Sequence, residues 1–141
     1  MNKTQKKDLS ALTLLGEGRK TKAKPSKKLE TFPSKTKNHY LVELFTDEFT
    51  CLCPATGQPD FAKIKISYVP AERIVESKSL KLYLWSFRNE GCFHEHLTNV
   101  ILQDLTDALK PVWCKVEGDF NIRGGIGIKV IAQSGKRPDD V

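Results

Sequence analysis

The chain has 141 residues and a formal net charge of +6, and 39% of its residues are hydrophobic. This length predicts one domain whose core is large enough to fold without disulfides. No stretch approaches the roughly 18 apolar residues of a membrane helix, and the amino terminus lacks the apolar run of a secretory signal. We therefore expect a cytoplasmic protein in which Cys51, Cys53, Cys92 and Cys114 are thiols, ligands or core residues rather than disulfides.

The positive charge belongs to the first part of the chain. Residues 1–38 hold 11 Lys and Arg against 3 Asp and Glu, a charge of +8, whereas residues 39–141 carry −2. Residues 1–38 also contain only one short apolar group, around Leu14. Such a segment buries too little surface to offset its ordering entropy. We predict a basic, mostly disordered arm over residues 1–38, with the apolar group docked on the body, and a single domain over residues 39–141.

Two strands are predicted at the start of this domain. Residues 40–45 have strand character, and residues 62–69 are clearer because Ile64, Ile66 and Tyr68 alternate with polar residues at period two. Between the two strands lie about 15 residues rich in Thr, Cys, Pro, Gly and Asp. A loop of this length in a compact domain is often functional.

Two amphipathic helices and two further strands are predicted next. In residues 77–88, apolar side chains recur at positions i, i+3, i+4 and i+7. A second apolar stripe predicts a helix over residues 93–109, ended by Pro111. Strands near residues 112–121 and 127–132 complete the order β, β, α, α, β, β. This order predicts an α+β fold with two helices on one face of an antiparallel sheet.

Cys53 is the first residue that can carry chemistry. It opens the segment Cys53–Phe61, which contains two prolines and the carboxylate of Asp60. A thiolate attacks activated electrophilic carbon, and a nearby acid can protonate a nitrogen that gains charge after the attack. A buried structural thiol is the alternative, and these residues alone leave it open.

Basic residues of the first helix form a second candidate site. At about 100 degrees per residue, Lys78, Lys81 and Arg88 share one face of the helix, which suits phosphate groups. An ordinary solvated charge face explains the same pattern. Glu76 and Ser77 stand at the helix start, where they can bind a ligand or simply cap backbone amides.

The start of the second helix is a third candidate site. Its sequence is Cys92-Phe93-His94-Glu95-His96. Together with the loop thiols these side chains could hold zinc, although Cys-x-Cys and His-x-His are not the usual spacings of zinc ligands. The Glu95 carboxylate can instead accept hydrogen bonds from a purine-like amino group and ring N–H.

Arg123 and the two glycines that follow it form a fourth candidate site. Adjacent glycines let a backbone approach a ligand closely, and a neighbouring arginine suits phosphate. A tight turn between the last two strands explains the glycines equally well. No Rossmann or P-loop fingerprint is present in the sequence, so any nucleotide cofactor must be held by an unrelated scheme.

In their order and spacing, these segments resemble the single-domain NADPH-dependent 7-cyano-7-deazaguanine reductases of queuosine biosynthesis. The match covers residues 40–128. Its most specific part is Glu76–Tyr83, which fits the family's signature helix position by position, and the segments Cys53–Phe61 and Phe93–Glu95 fit as well. The resemblance implies the tunnelling fold shared with type I GTP cyclohydrolase. Small subunits of that fold close into rings, such as two stacked pentamers, with sites between subunits.

The resemblance also implies roles for individual residues. Cys53 would form a covalent thioimide with the nitrile and Asp60 would donate the proton, while two NADPH molecules supply the reduction to an aminomethyl group. No metal is implied, and no membrane or direct nucleic-acid partner is expected. The base would be bound by Val75, Glu76, Ser77, His94 and Glu95, and NADPH by Lys78, Ser79, Lys81 and Arg123.

Two alternative functions stay open at this point. A zinc-dependent cyclohydrolase-like enzyme on the same fold would use the Cys and His residues as ligands. An RNA-associated protein would bind through its basic arm with strong salt dependence. The first alternative predicts stoichiometric zinc, and the second predicts RNA binding that does not require Cys53.

Overall fold

A computed structural model describes residues 23–141, so the apolar group around Leu14 lies outside the described residues. The described part forms six strands, two α-helices and one 3-10 helix. In chain order these are β1 (Thr31–Pro33), β2 (Val42–Leu52), β3 (Pro59–Val69), β4 (Arg73–Val75), α1 (Ser77–Trp85), the 3-10 helix (Ser86–Asn89), α2 (His94–Leu109), β5 (Trp113–Arg123) and β6 (Ile126–Gly135).

The four long strands form one antiparallel sheet in the order β2-β3-β5-β6. In β3, the side chains of Ala62, Ile64 and Ile66 are buried while Lys63 and Lys65 are exposed, as the alternation of the sequence predicts. α2 packs on β5 and β6, and the 3-10 helix packs on β2. A single core fills the space between the sheet and the helices. The predicted α+β fold with an antiparallel sheet and two helices is confirmed.

β2 is longer than predicted, and the loop after it is shorter. The strand runs to Leu52, with a register shift against β3 between Thr46 and Phe49. The polar residues inside this bulge interrupt the alternation, which is why the sequence pattern ends the strand too early. The predicted loop is instead a short hairpin connection, residues 53–58.

Residues 26–33, called here the N-terminal strap, hold a defined place although they belong to the predicted arm. β1 pairs with β4, with Thr31 opposite Val75. The Glu30 carbonyl accepts a hydrogen bond of 2.9 Å from the Glu76 N–H. The structure therefore differs from the predicted disorder over this segment, because backbone hydrogen bonds and the packing of Leu29 on the core hold it.

The helix ends follow local signals. α1 is shorter than predicted, because a 3-10 turn replaces its last residues after Trp85. α2 ends at Leu109, as predicted. Lys110 then adopts a left-handed φ of 45°, and Pro111 prevents continuation. Neither α-helix of residues 23–141 has the length and apolar content needed to cross a bilayer.

Candidate active site

Cys53 lies at the turn that joins β2 to β3. Its N–H donates to the Gln58 carbonyl at 2.8 Å, and its carbonyl accepts from the Gly57 N–H at 2.9 Å. Gly57 has a φ of 70°, a left-handed conformation that glycine adopts at little cost. The turn thereby fixes a half-buried free thiol at one end of the sheet.

The Cys53 thiol is unusually acidic, because its surroundings lower its pKa from 9.0 to about 6. The largest cause is a hydrogen bond from the Thr56 hydroxyl, followed by the Thr56 N–H, the Arg123 guanidinium and the Ala55 N–H. These donors stabilise the thiolate, which is the nucleophilic form of cysteine. At neutral pH, Cys53 is therefore mostly in its thiolate form.

The other three cysteines, which also lie in the described residues, are free but much less reactive. Burial raises the pKa of Cys51 to about 11 and that of Cys114 to about 12. Burial also raises the pKa of Cys92. These three side chains stay protonated at neutral pH, so the site has one nucleophilic sulfur.

Asp60 lies near Cys53, because β2 and β3 pair in a register that sets Cys51 opposite Asp60 and because Arg123 contacts both Asp60 and Cys53. The Asp60 side chain is only 7% exposed. Its Oδ2 lies 3.1 Å from His94 Nε2, and its Oδ1 lies 3.1 Å from Arg123 Nη1. Both carboxylate oxygens are thus held, one by a titratable ring and the other by a permanent cation.

His94 begins α2 and is held on two sides. Its ring stacks on the Phe120 ring with centroids 3.8 Å apart and planes 9° apart. Its backbone carbonyl accepts a hydrogen bond of 2.9 Å from the Thr98 hydroxyl. The imidazole therefore has little freedom to turn away from Asp60.

Arg123 ends β5 directly before the turn to β6. Gly124 and Gly125 have φ values of 62° and 81°, so the interpretation of these glycines as a tight turn is confirmed. The guanidinium contacts Asp60 and Cys53 at the thiol end of the sheet. Its position supports a role at the nucleophile in addition to the predicted contact with a cofactor phosphate.

Val75, Glu76 and Ser77 form a second group at the start of α1. The buried Glu76 carboxylate accepts hydrogen bonds from the Lys78 N–H at 2.8 Å and the Ser79 N–H at 2.7 Å. Glu76 is thus the helix cap that the simpler interpretation expected, and its remaining lone pairs can still face a ligand. Ser77 is exposed beside it.

The predicted cofactor residues of α1 divide into two kinds. Lys78 and Lys81 are exposed and line a groove of about 930 Å³ between α1 and β2, together with Arg88. Ser79 is fully buried, and its Oγ accepts from the Glu30 N–H at 3.0 Å and donates to the Glu76 carbonyl at 2.8 Å. The lysines are accessible to phosphate, whereas the Ser79 hydroxyl is occupied within the chain.

The residues around Cys53 and the residues at the start of α1 lie at opposite ends of the sheet. The Val75 N–H donates to the Tyr68 hydroxyl at 3.2 Å, so the start of α1 lies next to the last residues of β3. Asp60 stands at the other end of β3, eight residues earlier. At about 3.3 Å per residue the separation is roughly 26 Å. One copy of the chain therefore does not bring all the predicted site residues together.

The segment around His96 gives no support for a metal centre. Glu95 and His96 are exposed, and the Phe93 and His96 rings contact each other edge to face at 6.0 Å. Among residues 23–141, no group of three or more His, Cys, Asp and Glu side chains is arranged to hold a metal ion. Glu95 and His96 lie in the first turn of α2 and face outward.

Sequence reasoning missed three residues of the thiol end. Thr56 was inside the matched loop, so a hydroxyl three residues after the nucleophile was a signal that could have been used. Thr98 and Phe120 had no such signal, because both are buried on regular elements and look like ordinary core residues. Only the contacts with His94 reveal their part in the site.

Comparison with known proteins identifies the family. The family model described as QueF-like protein matches residues 59–139, which include Asp60, His94 and Arg123. The chain belongs to the QueF-like family. It is 61% identical over 131 residues to the NADPH-dependent 7-cyano-7-deazaguanine reductase of Syntrophus aciditrophicus, covering 92% of this chain and 91% of that protein. The resemblance inferred from the sequence is confirmed.

Two further proteins are similar to this chain over most of its length. The NADPH-dependent 7-cyano-7-deazaguanine reductase of Anaeromyxobacter dehalogenans is 58% identical over 83% of this chain and 97% of its own length. Among solved structures, the apo form of the archaeosine synthase QueF-Like aligns with a TM-score of 0.64 and 26% identity. That alignment covers 70% of this chain and 96% of the other. The likeness therefore extends over the body of the fold.

Proposed function

We propose that this chain reduces the nitrile of 7-cyano-7-deazaguanine to an aminomethyl group with NADPH, as a step of queuosine biosynthesis. The observation that carries the proposal is the acidic Cys53 thiol beside the paired Asp60 carboxylate, in a chain 61% identical to a reductase of that name. A nitrile carbon is an electrophile that a thiolate attacks readily. The absence of a nucleotide-binding fingerprint is no obstacle, because the basic groove along α1 offers phosphate ligands.

The first step is addition of the Cys53 sulfur to the nitrile carbon. The C≡N bond becomes C=N as the C–S bond forms, and the nitrogen takes up one proton to give a thioimide. That proton passes through the Asp60–His94 contact, where His94 Nε2 lies 3.1 Å from Oδ2. We thereby refine the role predicted for Asp60, because its carboxylate acts together with the ring that it holds.

Reduction then proceeds in two stages. The two hydrides would come from two bound NADPH molecules, one for the thioimide carbon and one for the imine. Between the two, the nitrogen lone pair expels the Cys53 thiolate, whose low pKa makes it a good leaving group. Two hydrides and two protons balance the conversion of the nitrile to the amine.

The cofactor is proposed to lie with its phosphates toward Lys78 and Lys81. Both ammonium groups are exposed at the groove between α1 and β2, and neither forms an ion pair with another residue of the described part. A groove of about 930 Å³ is large enough for an extended nucleotide. Arg123 does not line this groove. It lies at the end of the sheet that carries Cys53, and we propose that any contact it makes with a phosphate occurs there.

The complete site is proposed to form between copies of the chain, in a ring. Glu76 and Ser77 of one copy would bind the base, while Cys53, His94 and Glu95 of another would face its nitrile. The separation of roughly 26 Å along β3 supports this arrangement. Four exposed apolar side chains at the thiol end support it further, because an apolar rim favours burial against a second copy. They are Phe61, Phe93, Ile122 and Ile126.

The proposal also places the protein in the cytoplasm. All four cysteines are free, and Cys53 must be a thiolate to react. A reducing compartment keeps such a thiol available.

The test is NADPH oxidation with 7-cyano-7-deazaguanine as substrate. The native chain should oxidise two NADPH per nitrile, Cys53→Ala should be inactive, and Asp60→Asn should lose most of its activity. Cys92→Ser is the matched control, because this half-buried thiol lies near the site but has a raised pKa, and it should keep activity. Full activity of Cys53→Ala would contradict the covalent mechanism.

The two alternative functions make different demands. One zinc per chain in the purified protein would favour the cyclohydrolase-like enzyme. Tight, salt-sensitive RNA binding without NADPH consumption would favour the RNA-associated protein. Either result, obtained with the active-site thiol intact, would overturn the reductase proposal.

A further inference from the structure

The His94 ring rests flat against a buried aromatic ring from another element. Phe120 lies on the inward face of β5 and is 3% exposed. Its ring and the imidazole are 3.8 Å apart between centroids and tilted by only 9°. A histidine ring otherwise rotates broadly about χ2, so a flat neighbour limits the directions in which Nε2 can point.

Gly118 makes room for this arrangement. A Cβ added at Gly118 would stand 2.8 Å from Phe120 Cε2 and 2.9 Å from Thr98 Oγ1. Both distances are shorter than side chains tolerate, so any larger residue must displace the ring or the hydroxyl. Thr98 is itself fully buried, and its hydroxyl donates to the His94 carbonyl. The ring support and the backbone support of His94 therefore rest on the same glycine.

We propose that Phe120 is a positioning residue of the reaction, and that Gly118 is the space it requires. Phe120 fixes the plane of the His94 ring so that Nε2 meets Asp60 Oδ2 at 3.1 Å. The inference rests on the proposed function, in which the Asp60–His94 pair delivers a proton to the substrate nitrogen. Hydrogen bonds weaken steeply with misalignment, and small displacements of catalytic groups lower rates strongly.

The rival interpretation is that Phe120 is only a core residue. Phe87 offers a matched control, because it is also 3% exposed and contacts another ring, that of Tyr83, at 5.2 Å. Phe87 has no ring contact with His94. If Phe120 served packing alone, Phe120→Leu and Phe87→Leu would both lower the melting temperature, and both would leave kcat close to the native value.

The experiment compares kcat and KM of native, Phe120→Leu and Phe87→Leu chains with NADPH and 7-cyano-7-deazaguanine. We expect kcat of Phe120→Leu to fall roughly 10- to 100-fold with KM for NADPH within about twofold, because the lost alignment affects the chemical step. Phe87→Leu should keep kcat within about twofold. Equal kcat values for Phe120→Leu and the native chain would overturn the inference.

A second variant keeps the test valid if Phe120→Leu does not fold. Gly118→Ala leaves the aromatic ring in the chain but displaces it, so we expect the same loss in kcat. Its matched control is Gly127→Ala on β6, where an added Cβ would meet only the flexible Ile122 side chain at 3.2 Å. Equal kcat values in both glycine variants would contradict the proposed role of Gly118.

A spectroscopic measurement separates this inference from the proposed function. A ring stacked on Phe120 should show upfield-shifted imidazole proton resonances in the NMR spectrum, assigned to His94 by their loss in His94→Gln. In Phe120→Leu these resonances should move downfield, while those of His39 and His96 stay. If the native chain oxidised no NADPH with the nitrile, the proposed function would fail. The positional inference would then be decided by these resonances, and their failure to move would overturn it.

Discussion

The guanidinium of Arg123 lies 3.1 Å from Asp60 Oδ1 and donates a hydrogen bond toward the Cys53 thiol. One cation therefore touches both the Cys53 thiol and the Asp60 carboxylate. The resemblance to the reductase family pointed instead to a cofactor phosphate as the partner of Arg123. Its two described contacts support a second role, because a guanidinium that donates to Cys53 stabilises the thiolate.

Replacement of Arg123 should slow the reaction by raising the pKa of Cys53. We expect kcat/KM of Arg123→Gln to fall roughly 100-fold, as when one charged donor is removed from an active site, and Arg123→Lys to lose less because it keeps the charge. The measurement pairs NADPH oxidation with alkylation of Cys53. Arg137→Gln is the control, since Arg137 stacks over Trp113 away from the thiol. A higher KM for NADPH with unchanged alkylation would mean that Arg123 serves the cofactor alone.

Cys53 should be alkylated faster at neutral pH than an ordinary thiol. With a pKa of about 6, Cys53 loses its thiolate form as the pH falls through 6, and it is mostly thiolate at pH 7. An ordinary cysteine is only a few per cent thiolate at that pH. The rate of iodoacetamide labelling against pH, located by mass spectrometry, gives the midpoint, and Cys53→Ser should remove the fast label.

Thr56→Val should move this midpoint to higher pH, because the Thr56 hydroxyl is the largest cause of the lowered pKa. Thr56→Ser keeps a hydroxyl and is the matched control. We expect Thr56→Val to lose activity mainly below its new midpoint and to recover as the pH rises. An unchanged labelling profile in Thr56→Val would show that the backbone N–H groups and Arg123 suffice.

Ser79→Ala should destabilise the fold rather than weaken cofactor binding. The buried Ser79 hydroxyl accepts from the Glu30 N–H and donates to the Glu76 carbonyl, and Ser79→Ala removes both hydrogen bonds. We expect a loss of about 1–3 kcal/mol in the free energy of unfolding, measured with urea. Ser86→Ala, which loses only a donor to the Tyr83 carbonyl, should cost less. A raised KM for NADPH at unchanged stability would restore Ser79 to the cofactor site.

A site shared between copies predicts recovery of activity from two inactive variants. Cys53→Ala and Glu76→Ala change residues at opposite ends of the sheet. When equal amounts are refolded together, about a quarter of the shared sites combine an intact Cys53 with an intact Glu76, so about a quarter of native activity should return. Cys53→Ala mixed with Asp60→Asn is the control, because both residues come from the same end. No recovery in the first mixture would favour a site within one copy.

The main parts of the fold follow directly from periodic patterns in the sequence. β3 was predicted because Ile64, Ile66 and Tyr68 face a core while their neighbours face solvent, and α2 because its apolar residues form one stripe. The continuation of β2 was missed because a bulge breaks its alternation between Thr46 and Phe49. β1 and β4 were missed because three-residue strands carry no usable period.

The candidate site was predictable only where it is local in sequence. Cys53 and Asp60 flank one hairpin turn, so their proximity follows from the register of two adjacent strands. His94 and Arg123 reach the same place through the start of α2 and the end of β5, which depends on how the sheet and helices assemble. The residues that support His94 look like core in the sequence, since nothing in a buried phenylalanine reveals which ring it will meet.

The N-terminal strap holds the start of α1 through main-chain atoms. The Glu30 N–H and carbonyl serve the Ser79 hydroxyl and the Glu76 N–H, so the start of α1 is tied to atoms that every residue except proline possesses. The hydrogen bond from the Glu30 N–H excludes proline at position 30, and side chains of the strap add to these contacts, since Leu29 packs on the core and Lys27 Nζ lies 3.2 Å from the centroid of the Phe87 ring. A change that loosens the strap should therefore disturb the start of α1 at Glu76 before it disturbs the sheet that carries Cys53.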